Sequence, residues 1–299
     1  MTSAVAGRPR TGLAARSVLA WSVPISLLVL VCSVAGLTDP RVYAQETVNW
    51  ATQARGQDVG NLVAVVVLLA AAVRHAHGSM RAGLVWLGAL LYLVYAFVVY
   101  AMAVHLNYLF LAYVAVLGLS AWALVVHVGP LRSGGFDFPH RTWTRVAAGV
   151  SVGTGVLFAA LWLGELVPAA VTGTVPDSLT EAGLWVNPIH VIDLSIVLPA
   201  LVVTGVGAWL GRPGGLFWLG PWLVFSALMG ASIVVAMLLM LGTEGAAAIP
   251  PAVMVSFLVA VSVGAVTAYL RRVREVGVRT VAGHPARSRS SSAGPGPVR

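Results

Sequence analysis

Eight separate windows of about 20 apolar residues constrain this chain more than any other feature. A helix needs roughly that length to cross the ~30 Å hydrocarbon core of a bilayer. Inside lipid only helices or closed barrels satisfy every backbone N–H and C=O. The windows fall at 17–37, 58–74, 82–104, 107–129, 146–170, 189–210, 216–241 and 251–270. Composition agrees: 59% of the 299 residues are hydrophobic and 9% charged, against about 25% charged in soluble domains. The expected fold is an all-α membrane protein with eight transmembrane helices. The first window follows basic residues, but it is long and lacks a small-x-small cleavage site, so it reads as an uncleaved signal anchor.

The 18 basic residues are all arginine, which excludes lysine Schiff-base chemistry and fits a GC-rich bacterial genome. Arg8, Arg10, Arg16, Arg74, Arg81, Arg132, Arg141, Arg145, Arg212 and seven beyond residue 270 fall on one side of the alternating spans; Arg41 and Arg55 fall on the other. That asymmetry predicts cytoplasmic N- and C-termini in a bacterial cytoplasmic membrane. The acids invert it: Asp39, Glu46, Asp58, Glu165, Asp177, Glu181, Asp193 and Glu244 lie on or near the outer side. The net charge of +8 therefore reads as a topology signal. It points to a lipid bilayer, not a nucleic acid, as the partner. Cys32 is the single cysteine, inside a span, and reads as a small core residue.

The expected organisation is a basic N-terminus (1–16), a first four-helix unit (17–129), a linker (130–145), a second four-helix unit (146–270) and a disordered basic tail (271–299). GLVWLG at 83–88 and GLFWLG at 215–220 each open a span after a cytoplasmic turn. One span earlier, Asp58 and Asp193 occupy related positions, with Arg55 and His190 three residues before them. These matches predict a 4+4 parallel internal repeat. Gly149 and Gly153 form a small-xxx-small pattern expected to bring helices close.

The topology places Glu165, His190, Asp193, His105 and Asn107 at one depth in the outer leaflet, with Asp58 and Gln57 reaching it from the other half. Intramembrane acids are costly unless they face protein or a wet cavity, so they mark candidate sites. A plainer account is open beside this one. In NPIHVIDL, Asn187 can cap a helix, Pro188 suits its first position, and an early acid is favoured by the helix dipole. The site reading favours binding or transport of a small solute, ion or proton through Glu165, His190 and Asp193, assisted by Asp58, His105 and Asn107. The alternatives are a membrane-embedded enzyme using the same groups for acid–base or metal chemistry, and an accessory subunit without a site. His105, Glu165, His190 and Asp193 are weak metal candidates because they lack a recognised ligand spacing. No cofactor is assigned: His75, His77, His127 and His140 suggest haem only in outline, since three of them, His75, His77 and His140, lie in loops. Tyr92 and Tyr95 sit deep enough to need hydroxyl partners within the bundle, and Pro199 interrupts the sixth span.

The segments WATQARGQD (50–58), HLNYLFLAYVAVLGLS (105–120) and NPIHVIDL (187–194) resemble stretches of a bacterial family of uncharacterised eight-span membrane proteins. The resemblance implies the span count and brings no activity or cofactor with it.

Overall fold

The computed structural model describes residues 11–139, 141–245 and 249–275. Eight helices are long and apolar enough to cross a membrane: α1 (Thr11–Thr38), α2 (Val48–Ala76), α3 (Met80–Ala103), α4 (Phe110–Arg132), α5 (Arg141–Thr172), α9 (Pro213–Glu244), α10 (Ile249–Arg272) and the composite sixth span. That sixth span is α7 (Pro188–Ile192), one wider π turn at Asp193–Val197, and α8 (Leu198–Trp209). A short α6 (Asp177–Ala182) lies in the α5–α7 connection. The chain is thus a polytopic helical protein of membrane-spanning character. Its outer faces agree, since Leu27, Val66, Leu111, Val203 and Phe257 are all more than half exposed. In water such surfaces would be a liability; against lipid tails they carry no penalty.

Helix α3 forms the centre of the bundle. Its apolar core is 72% buried, against 22–44% for the other seven spans, and Trp86, Leu90, Tyr92, Leu93 and Phe97 are completely enclosed. Around it, α1 packs on α2 and α4, and α3 on α2 and α4; α5 packs on α8 and α10, and α9 on α8 and α10. The two groups of four meet where α2 and α3 pack on α9. At that seam Gly56 and Gly60 of α2 face Ala236 and Ser232 of α9, so closely that a Cβ on either glycine would overlap the partner helix. Gly88 of α3 meets Val224 and the Pro221 carbonyl of α9, while Gly220 of α9 meets Leu84 of α3 and Leu270.

Gly149 and Gly153 do not perform the packing expected of them. Space beside both is open and both are exposed. Close approach of α5 and α8 is made instead by Gly155, against Leu198, Leu201 and Val202, and by Gly205, against Ala148 and Val152. Helix α5 turns the 149/153 face away from its neighbours, something periodicity in an all-apolar helix does not encode.

Two boundaries also move. Helix α2 begins at Val48, ten residues before Asp58, because Trp50, Ala51, Thr52, Ala54 and Gly56 are buried against other helices despite their polar sequence neighbours. Helix α10 continues through Arg272, and Arg274–Glu275 pairs antiparallel with Phe136–Asp137. The expected tail from 271 therefore starts structured. Glu275 accepts from the Arg81 backbone amide at 2.9 Å and the Ser79 hydroxyl at 3.1 Å, tying the segment after α10 to the start of α3. The N-terminal arginines Arg8 and Arg10, His140 and the tail beyond Glu275 lie outside the described residues.

The bundle has two chemically different ends. One carries the α1–α2, α3–α4 and α5–α7 connections and is called the acidic end below. The other carries the α2–α3, α4–α5 and α8–α9 turns with their arginines.

Candidate functional site

The sixth span is built by its sequence as a broken helix. Asn187 Oδ1 accepts from the Ile189 amide at 2.9 Å and Pro188 follows at the first helical position, the capping expected of such a pair. Pro199 then removes one amide, and its ring would crowd the carbonyl of Ser195 four residues back. The backbone widens just before it: the Leu198 amide bonds Asp193 O, a five-residue step. Single π turns of this kind recur at functional sites, and this one starts on Asp193.

Asp193 is 7% exposed. Its Oδ2 accepts from the indole N–H of Trp162 on α5 at 2.8 Å, and the Tyr95 hydroxyl of α3 faces the same carboxylate. His190, 5% exposed, does not pair with Asp193. Its ring packs on Trp162 with centroids 4.6 Å apart, and its Nε2 lies 4.0 Å from Oε2 of Glu165. Glu165 accepts from the hydroxyl of Ser178 on α6 and keeps 29% of its side chain exposed. Glu165, His190 and Asp193 thus lie together around Trp162 as a layered set rather than as mutual partners.

Beside Asp193 the helices line a partly open cavity of about 330 Å³. Its wall comes from α2, α3, α5, the sixth span, α9 and α10, and is mostly apolar and aromatic. Trp50, Tyr95, Tyr100, Phe158, Trp162 and Phe225 supply the rings; among the described residues Asp193 is the only carboxylate of the lining and no basic residue joins it. Gln57 contributes an amide, held by donation to the Tyr92 hydroxyl at 2.6 Å and acceptance from Ser232 at 3.1 Å. The indole N–H of Trp50 is taken by Ala103 O at 2.7 Å, which leaves its ring for the cavity. This size, an apolar lining and a few fixed polar groups are what small-molecule sites have in common.

Asp58 lies elsewhere. It is fully buried between α1, α2 and α3, where its two oxygens accept from Tyr43 at 2.7 Å and Tyr100 at 2.8 Å. Arg55 is exposed and forms no ion pair with it, so Arg55–Asp58 is not a base–acid contact. His105 and Asn107 are also apart from Asp193. They build the loop layer at the acidic end: Glu46 accepts from the His105 amide at 2.7 Å and lies 3.0 Å from its ring Nδ1. Asn107 donates to Val42 O at 3.2 Å and accepts from the Leu109 amide at 2.9 Å. In the same layer Arg41, joined by the Tyr108 hydroxyl, holds the Asp39 carboxyl well below the usual carboxylate range. Arg41 is 82% exposed, so the pair contributes little stability.

The four metal candidates do not converge, and among the described residues no group of three or more His, Cys, Asp or Glu surrounds a common point. The described histidines of the other end have local partners. His127 bonds Ser17 at 3.0 Å and Ala123 O at 2.9 Å and packs on Trp86; His75 and His77 bond Ser79 O and Val73 O.

Sequence reasoning missed Tyr43 and Ser178, which sit in connections with no periodic signal. It also missed the Gly56–Gly60 crossing, which is legible as G-x-x-x-G once α2 is known to start at Val48. Compared with known protein families, curated proteins and solved structures, the chain matches none.

Proposed function

We propose that the protein binds a small organic cation with an apolar body in the central cavity, as a step in moving it across the membrane. The observation that carries this reading is the pairing of one carboxylate, Asp193, with an aromatic wall that has no basic residue among the described residues. A carboxylate in a low-dielectric site favours a positive ligand over water-filled emptiness. Aromatic faces add attraction for a cation, of order 0.5–2 kcal/mol per ring. Trp162 and Tyr95 hold the carboxylate in place, and the π turn begins at this lining residue.

The reading includes a 4+4 parallel duplication with both termini in the cytoplasm of a bacterial cell. Three observations support the duplication. The same neighbours pack within each group of four spans, the related hexapeptides meet at the α3–α9 seam, and each buried Asp faces the helix before its own. Under the arginine asymmetry, the acidic end is the outer one, which puts the Asp193 side of the cavity toward the outside.

The test uses phenyltrimethylammonium and its neutral isostere tert-butylbenzene, which differ in charge and hardly in shape. Binding to the purified full-length protein is followed by tryptophan fluorescence, since Trp50 and Trp162 line the cavity. Saturable binding of the cation, weakened tenfold or more by Asp193→Asn, is expected; tenfold corresponds to about 1.4 kcal/mol. The isostere should be indifferent to that substitution. No saturable signal, or equal cation affinity in the variant, refutes the reading.

A further inference from the structure

We infer that Asp58 is a second, separate site that reversibly binds a proton, with Tyr100 as the hydrogen-bond switch that links it to the cavity wall. Asp58 is completely enclosed and makes no ion pair among the described residues. A buried carboxylate without a cation is costly to keep ionised. The pocket is also too tight for a metal ion. Gly36 of α1 lies against it so closely that a Cβ there would overlap Asp58 Oδ2 and approach the Tyr43 hydroxyl. A proton is the one charge that needs no added volume.

The hydrogen-bond geometry accommodates both protonation states. The Tyr100 hydroxyl has one proton and two acceptors, Asp58 Oδ1 at 2.8 Å and Ala54 O at 3.1 Å. With Asp58 ionised, Tyr100 and Tyr43 both donate to the carboxylate. When one proton is taken from water, Asp58 Oδ1–H donates to the Tyr100 oxygen and the tyrosine proton turns to Ala54 O. Every donor then still has an acceptor and no heavy atom needs to move. The rest of the shell is polar and neutral: Cys32 and Ser33 come from α1, Tyr92 from α3 and Tyr113 from α4, with Arg55 on α2 itself acting only at a distance. The hydroxyls of Ser33 and Tyr113 are buried in this shell, and their protons rotate about the C–O bond to suit a change of charge beside them. Tyr100 and Ala54 both line the cavity, so the switch has one face on Asp58 and the other on the proposed solute site.

Infrared difference spectroscopy of the full-length protein across a pH titration tests this with no solute present, so it succeeds or fails independently of the cation-binding reading. A carboxyl C=O stretch that appears as pH falls should be lost in Asp58→Asn and kept in Asp193→Asn. In Tyr100→Phe the band should persist with a shifted frequency and pH midpoint, because one hydrogen bond to the carboxyl is gone. The inference is overturned if the band that titrates in the wild type survives in Asp58→Asn. If that variant does not fold, Tyr100→Phe decides: an unshifted band, or none that titrates, overturns it.

Discussion

Alanine at Gly56 and alanine at Gly153 should move stability in opposite directions. Either substitution removes a helical glycine, and on helix propensity alone alanine is better by about 0.5–1 kcal/mol. At Gly153 nothing lies within 4 Å of the added Cβ, so that gain should be realised nearly whole. At Gly56 the Cβ meets the Cα, Cβ and N of Ala236. Those are backbone and near-backbone atoms of α9 that no rotamer change can clear. Overpacking of that kind costs about 1–3 kcal/mol, leaving Gly56→Ala destabilised by up to about 2.5 kcal/mol. The propensity gain is common to the two variants, so the difference between them isolates the helix–helix clash, about 1–3 kcal/mol. Unfolding of the purified protein by denaturing detergent, followed by tryptophan fluorescence, measures both. If Gly56→Ala proves as stable as Gly153→Ala, α2 and α9 do not cross at this point and the packing described for the seam is wrong.

Other outcomes follow from the same contacts. Trp162→Phe keeps the ring but takes the indole donor from Asp193, and loss of a hydrogen bond to a buried carboxylate should cost about 1.5–3 kcal/mol, read as lower stability and altered phenyltrimethylammonium affinity. On Glu275, partial burial raises the carboxyl, but the Arg81 amide, the Ser79 hydroxyl and the Arg81 guanidinium outweigh it and leave the group below its ordinary value of 4.5. Docking of the Arg274–Glu275 segment should thus be fully present above that value and lost as pH falls beneath it. Hydrogen exchange at Arg274 would show the release, and a pH-independent exchange rate would contradict it. For topology, in a Cys32→Ala background, Ala44→Cys should react with a membrane-impermeant maleimide on intact cells and Ser133→Cys only after permeabilisation. The reverse pattern inverts the orientation.

Much of the architecture could be read directly because the bilayer imposes it. The eight windows became eight spans, since only a long apolar helix closes its own backbone hydrogen bonds in lipid. Asn187 and Pro188 cap the sixth span as their types require, and the deep tyrosines Tyr92 and Tyr95 have polar groups facing them. What the sequence did not carry is which way each helix turns. In an almost wholly apolar span, lipid-facing and core-facing residues are chemically alike, so Gly149–Gly153 and Gly56–Gly60 look the same although only the second pair meets another helix. The polar residues were sorted the same way. Depth alone grouped His105 and Asn107 with Asp193, while the tertiary structure gave the first two to a loop layer and the third to a cavity. Asp58 and Asp193 stand in related sequence positions, yet one is sealed by Tyr43, Tyr100 and Gly36 and the other opens onto a space of about 330 Å³. Hydrophobicity along the chain determined the spans; the packing of faces against one another, which depends on shape more than polarity, decided which acid has room beside it for a ligand.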